Sequence, residues 1–338
     1  MLALADNMQE ISGVDAQAPL PDSILKSTQP LVLRGLAANW PLVRAARESS
    51  GAASAYVRRF YRDASVVAML GAPEIGGRFF YNSDLSGFNF RSVKVKLDTV
   101  LDEIERHRHE LQPPALYVGS TTVDTCLPGF RAENDFQMGE RNPLVSVWIG
   151  NRTRIAAHHD LPDNLACVAA GRRRFTLFPP EELANLYIGP LDFTPAGQAI
   201  SLVDFANPDF EKFPRFAQAL RRAQVAQLEP GDAIFIPSMW WHHIESLDAF
   251  NVLVNYWWRQ SPAFMDSPMN ALMLAILSVR DLPPAQRDAW QNLFRHYVFE
   301  ANDATATHIP ESARRVLSPL GDDAARELRA RLLQKLNR

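Results

Sequence analysis

The sequence predicts a mainly β protein with flanking helices: a sandwich or jelly-roll barrel followed by a C-terminal helical segment. Three observations carry this. Between residues 115 and 257, short apolar runs of strand length recur with turn residues between them, the texture of an antiparallel barrel rather than of a parallel sheet with crossover helices. Ahead of them the chain mixes short helices and short strands, and past Arg259 it becomes helical. The chain therefore divides into an α/β lead-in at residues 1–110, a barrel at 111–260 and a helical segment at 261–338.

In the lead-in, residues 21–26 predict a short helix and 30–34 a strand. Helical spacing runs through 40–47 and 54–62, with Ser54 placed as N-cap of the second. Residues 66–70 and 78–81 read as strands separated by turn signals at Gly71 and at Gly76-Gly77. A helix is predicted over 97–109, where Val100, Leu101 and Ile104 share a face and charges fill the other. Barrel strands follow at 115–119, 144–150, 154–158, 165–170 and 174–178. A largely helical excursion comes next, with helices at 181–187 and 208–222 around a strand at 200–204. The last barrel strands are 226–228, 233–236, 243–245 and 251–257. Beyond the barrel, Ser267 caps a helix with Pro268 in its first turn, and residues 269–279 are apolar nearly all round. Pro284 opens another, with Trp290, Leu293, Phe294, Tyr297 and Val298 as a stripe, and residues 322–336 are amphipathic through Leu328, Leu332 and Leu336. A helix apolar all round must be covered, by the barrel or by a second subunit.

Of the 338 residues, 47% are hydrophobic and 22% charged, ordinary values for a globular chain with a sizeable core. A net charge of -3 gives no electrostatic reason to expect nucleic acid. Two cysteines, Cys126 and Cys167, supply neither a disulfide framework nor a four-thiolate zinc site, and point to a reducing compartment. The N-terminus has acidic residues where a signal peptide would be basic, and no apolar run reaches the roughly 20 residues of a membrane helix. A cytoplasmic protein with no membrane partner is expected. No G-x-S-x-G or G-x-x-x-x-G-K motif occurs.

The chemistry concentrates in residues 155–180, IAAHHDLPDNLACVAAGRRRFTLFPP. On an extended strand His158 and Asp160 project to one side and His159 to the other. An H-x-D triplet alone is weak. A second histidine pair, His242-His243, follows the apolar strand at 233–236, and one imidazole from it would complete two histidines and a carboxylate, the set that leaves open positions on non-haem Fe(II). Alternation says that one of His242 and His243 faces inward, not which.

The H-x-D, the spacing to G-R-R-R-F-T-L-F-P-P, the G-D-x-x-x-I-P and the W-W-H-H-I-E-S together resemble the Jumonji-C, or cupin-8, oxygenases, asparaginyl hydroxylases among them, over about residues 117–258. The resemblance implies a double-stranded β-helix. It chooses His242, so that His158, Asp160 and His242 become the metal ligands and the catalytic centre. It also implies Fe(II) as cofactor and 2-oxoglutarate as cosubstrate. Arg173 matches a lysine that holds the far carboxylate of 2-oxoglutarate in the asparaginyl hydroxylases, and Tyr117 a tyrosine that hydrogen-bonds it. Asn164 and Asn255 match asparagines near the metal. Two departures stand out: arginine and lysine differ in reach and geometry, and Ile155 replaces a threonine that contacts the cosubstrate. The activity implied is oxidative decarboxylation of 2-oxoglutarate to succinate and CO2, coupled through O2 to hydroxylation of a protein or peptide side chain or of a small molecule. Dimerisation through the C-terminal helices is implied as well. His159 and the tryptophans Trp241, Trp257 and Trp258 are candidates for the substrate wall or for core. Two other classes share the same residues: a cupin-fold protein with another metal and non-oxidative chemistry, and a binding module that does not turn over 2-oxoglutarate.

Overall fold

The computed structural model, which describes residues 8–337, contains fourteen strands. They are β1 (Gln9–Ser12), β2 (Leu31–Arg34), β3 (Ser65–Gly71), β4 (Arg78–Phe79), β5 (Phe90–Lys96), β6 (Ala115–Thr122), β7 (Leu144–Gly150), β8 (Arg154–His158), β9 (Asp163–Ala170), β10 (Arg173–Phe178), β11 (Gln224–Leu228), β12 (Ala233–Ile236), β13 (Trp241–Ser246) and β14 (Asn251–Trp258). A nine-stranded sheet runs β1-β2-β12-β9-β14-β7-β6-β3-β5 and a five-stranded sheet β11-β10-β13-β8-β4. All pairings are antiparallel except β1 with β2 and β4 with β8. From β7 to β14 the chain deals four strands to each sheet, which is the double-stranded β-helix.

The two faces of the large sheet bury different things, because successive side chains point opposite ways. Ala166 and Val168 of β9, Ile234 and Ile236 of β12 and Leu253 of β14 pack against Phe175 and Leu177 of β10 and Ala226 and Leu228 of β11 on the small sheet. Each large side chain so buried contributes about 1.5–3 kcal/mol. The alternate residues, Leu165 and Cys167 of β9 and Val252, Val254 and Tyr256 of β14, pack under the helices Pro41–Glu48, Ser50–Phe60 and Leu97–Arg106. This leaves the barrel interior as the one place where polar side chains on inward positions can meet.

Several expected boundaries move. The second lead-in helix starts at Ser50 and its cap is Ser49, whose hydroxyl accepts from the Ala52 amide at 3.0 Å; Ser54 is inside it. The helix from Leu97 stops at Arg106. The helical excursion is mostly irregular: a 3-10 turn at Pro180–Ala184, a short helix Phe216–Leu220 and a single bridge between Ile188 and Ser201. Pro208 and Pro214 disfavour helix in the residues before them, and Phe205, Phe213 and Phe216 pack instead under Phe178 and Trp241. Two strands go unanticipated. β5 does alternate, with Val93 and Val95 packed on the core and Arg91, Lys94 and Lys96 exposed, whereas β1 is polar and exists through its parallel pairing with β2.

The chain forms two compact units, Met1–Gln260 and Ser261–Arg338. The second contains helices Pro268–Ser278, Pro284–Phe294 with a π-helical continuation at Arg295–Phe299, and Asp322–Leu336. Ser267 caps the first, accepting from the Met269 amide. Neither of the first two helices has a buried side chain; Leu277 is 77% exposed and Phe299 of the continuation 79%. No helix among the described residues is long and apolar enough to cross a membrane.

A single glycine carries the chain from the large sheet to the small one. Gly171, between β9 and β10, has φ +69, and a Cβ there would lie 2.4 Å from the Phe250 carbonyl oxygen. Glycine alone adopts this conformation without cost. Gly171→Ala is expected to destabilise the fold by roughly 1–3 kcal/mol through overpacking, read as a lower calorimetric melting temperature; an unchanged melting temperature would refute it.

Candidate metal centre

His158 ends β8 and His242 lies near the start of β13, paired across the ladder with each other. Their rings are 4.3 Å apart, centroid to centroid. Simple alternation along β8 would not bring His158 there. Ile155 faces Ile244 and His158 faces His242, so β8 spends three residues where β13 spends two. This bulge lets Ile155, packed beside Tyr117, and His158 both face the interior.

Asp160 comes from the loop after β8, and a second loop holds it in place. The Met239 amide donates to the Asp160 carbonyl at 2.9 Å, with Met239 at φ +69. Ser238 donates through its amide to Asp163 Oδ1 at 2.9 Å and through its hydroxyl to the Leu161 carbonyl at 2.6 Å. The chain before His242 is thus tied to the chain after His158. Asp160 Oδ2 lies 3.6 Å from His242 Nε2, and the donor atoms of His158, Asp160 and His242 all lie within 4.8 Å of one another. Among the described residues this is the only such group of His, Cys, Asp and Glu.

Both imidazoles have their tautomer set by the backbone. His158 Nδ1 is 2.9 Å from the Ala156 carbonyl and His242 Nδ1 is 2.9 Å from the Trp240 carbonyl. A carbonyl oxygen can only accept, so each Nδ1 carries a proton, which leaves Nε2 as the nitrogen available to a metal, the arrangement that metal-binding histidines use. Burial, with His158 alongside, pushes the His242 pKa down to about 4, so its ring is neutral near pH 7. Two imidazoles and a carboxylate with their donor atoms gathered in this way suit a divalent ion such as Fe(II).

Arg173 is the first residue of β10 and faces the same interior as Phe175 and Leu177. It is 1% exposed, its Nε and Nη2 have no hydrogen-bond partner and it forms no ion pair among the described residues. The neighbouring arginines are the solvated ones: Arg172 pairs with Asp248 and Arg174 with Glu245. Burial lowers the Arg173 pKa, and the phenol of Tyr117 beside it works in the other direction. Burial pushes Tyr117 up to about 12, against the pull of Arg173. An unpaired buried cation is costly, and here it sits in the barrel interior beside a neutral phenol.

The two asparagines close the opposite wall. Asn255 Oδ1 accepts from Trp148 Nε1 at 2.8 Å, and Asn255 Nδ2 lies 3.4 Å from Asn164 Oδ1. Both amides are buried at inward positions of β14 and β9. Trp148 was not legible as a site neighbour, since only the cross-strand partner Leu253 and the hydrogen bond to Asn255 place it there.

The remaining candidates point elsewhere. His243 lies on the other face of β13, its ring tilted against Phe205 at 4.6 Å, and burial and Arg154 push it down to about 3. His159 meets the edge of Trp241 at 4.6 Å. Trp241 and Trp258 are core, packed with Phe178 and with Phe235; Trp257 is half-buried against Trp148.

Residues 17–264 match the model of the Cupin_8 family, described as a cupin-like domain. The chain belongs to this family. Within the cupin-like relatives, lysine-specific demethylase JMJ31 of Arabidopsis thaliana is 34% identical over 129 residues, covering 36% of this chain and 23% of that protein. HSPB1-associated protein 1 of Homo sapiens is 32% identical over 165 residues, 47% of this chain and 33% of that one. tRNA wybutosine-synthesizing protein 5 of Gallus gallus is 39% identical over 106 residues, 31% and 30% respectively. The chain thus spans about a quarter to a third of the length of these relatives. Its cupin-like domain is of the Jumonji-C type.

Proposed function

We propose that the protein is an Fe(II)- and 2-oxoglutarate-dependent oxygenase that hydroxylates a protein or peptide side chain or a small molecule. The observation that carries this is the unpaired guanidinium of Arg173, buried in the same interior as the His158, Asp160 and His242 donors. A non-oxidative metal site has no need of it; a dicarboxylate lying between iron and cation does. His158, Asp160 and His242 would hold the iron, which when bound supplies O2 activation and oxidation of a C–H bond. Arg173 would take the far carboxylate of 2-oxoglutarate through charge-assisted hydrogen bonds, with the Tyr117 hydroxyl as a second donor. Asn164 and Asn255 would orient the cosubstrate from the opposite wall. Ile155 replaces a hydroxyl contact by an apolar one, which leaves Arg173 and Tyr117 to hold that end. The aromatic lining of Phe79, Trp148 and Tyr117 would keep water from the reacting atoms. The two unpaired, buried cysteines support a cytoplasmic setting.

The test is direct: anaerobic protein with Fe(II) and 2-oxoglutarate should develop the visible absorption of a chelated 2-oxo acid, and admission of air should yield succinate. Absence of both would leave the non-oxidative and binding-module readings.

A homodimer through the C-terminal helices is part of the proposal. Leu272, Leu277, Trp290, Leu293 and Tyr297 are all more than 40% exposed, and large apolar side chains left exposed together on neighbouring helices are the kind of surface that an interface covers. Light scattering is expected to give twice 37.9 kDa; a monomer at micromolar concentration would refute it.

A further inference from the structure

Residues 189–199 form an irregular arch between the 3-10 turn at Pro180–Ala184 and the bridge at Ser201. Its feet are fixed by the backbone: the Gly189 amide donates to the Ile200 carbonyl and the Ser201 amide to the Ala157 carbonyl of β8, each at 2.8 Å. Its middle is held by Phe193, whose ring stacks on Phe88 at 4.9 Å and whose carbonyl accepts from the Tyr81 hydroxyl. The arch reaches the candidate centre at one side chain. Gln198 Nε2 donates to Asp160 Oδ1 at 3.3 Å, while Asp160 Oδ2 is the oxygen turned to His242 Nε2.

We propose that Gln198 is a positioning residue: by occupying Oδ1 it fixes the rotation of the Asp160 carboxylate and presents Oδ2 as the single oxygen for the metal. The inference rests on the reading of this centre as a metal site. Its physical basis is the division of labour between the two oxygens. A carboxylate at the end of a free torsion can offer either oxygen or both, and a hydrogen bond from a scaffold fixed elsewhere removes that freedom, which is how outer partners of metal-binding carboxylates act. The donor is a neutral amide. A lysine or arginine in its place would pair with Asp160 and neutralise the charge that the cation needs, whereas an amide directs the carboxylate and leaves its charge in place. The three fixings of the arch do not involve Gln198, so the amide can be removed without releasing the arch.

The experiment titrates metal-free wild type, Gln198→Ala and Gln198→Asn with cobalt(II), recording affinity by calorimetry, the visible d–d spectrum and the melting temperature of the metal-free forms. The expected result is a roughly tenfold loss of cobalt(II) affinity in Gln198→Ala, the scale of an outer-partner deletion. An altered d–d band should accompany it, as the carboxylate changes its mode of binding, and the metal-free melting temperature should not move. Gln198→Asn, which keeps the amide but is too short to reach, should behave like the alanine variant. Wild-type affinity and spectrum in Gln198→Ala would overturn the inference while leaving the metal site intact. So would a loss of affinity with an unchanged spectrum and a lowered metal-free melting temperature, which would make Gln198 a structural prop of the arch. If wild type binds no cobalt(II), the metal reading itself falls and takes the inference with it.

Discussion

Arg173→Ala is expected to bind 2-oxoglutarate more than tenfold more weakly than wild type while keeping its iron. The guanidinium is buried and without a carboxylate partner among the described residues, so its charge is not already committed to another group. Truncating one member of a desolvated charge pair costs roughly 2–5 kcal/mol. Metal-free Arg173→Ala should be no less resistant to heat, because the variant also removes a buried unpaired charge, and a drop would mean that the side chain is chiefly structural. Arg173→Lys should retain part of the affinity: charge persists, but not the planar fork that meets a carboxylate with two parallel hydrogen bonds. Titrating the anaerobic Fe(II) forms with 2-oxoglutarate and following the visible band gives each dissociation constant. Equal constants for wild type and Arg173→Ala would remove this residue from the cosubstrate site.

Asp160→Ala and His242→Ala are expected to lose Fe(II) affinity by more than the roughly 10- to 100-fold that deleting an outer partner costs. His243→Ala should lose far less. The contrast follows from β13, where adjacent histidines stand on opposite faces: His242 opposite His158, and His243 opposite Thr176 and against Phe205. The backbone bond to the Trp240 carbonyl has already set the His242 tautomer, so the deletion removes a ring that arrives prepared. Anaerobic calorimetric titration of the three variants decides it. Equal losses at His242 and His243, or full affinity without Asp160, would sink the assignment.

How far the sequence could be read depends on the length scale of the signal. The barrel strands were legible because each carries its own apolar run and turn, as in β7, β8 and β12, whose limits fall where expected. The gathering of His158, Asp160 and His242 was legible through paired motifs, although choosing His242 over His243 took the family resemblance. Less accessible was the bulge in β8, since it arises from register against β13 and leaves no mark in the order of residues 155–158. Gln198 was invisible for a related reason: it lies 38 residues from Asp160 in a segment without periodicity, and only the folded arch brings them together. The excursion at 181–222 misled because its aromatic residues sit at helix-like intervals yet serve a local cluster. Arg173 sits in a run of three arginines from which the family resemblance picked the middle one, and the turn at Gly171 and the pairing of β10 are what send it inward.

The order of strands in the large sheet decides which edges meet solvent. Of its barrel strands, β12 is wholly apolar and buried, AIFI, and it is covered on its outer side by β2, itself flanked by β1. Bare, such a strand would be a template for pairing with other chains. At the sheet's two real margins the surface is different. β5 presents exposed Arg91, Lys94 and Lys96, and β1 presents Glu10, bound to Arg34. Charged, hydrated margins discourage a second copy where an apolar one would recruit it. The lead-in residues thus place charged, solvated edges between the apolar strands of the barrel and the solvent.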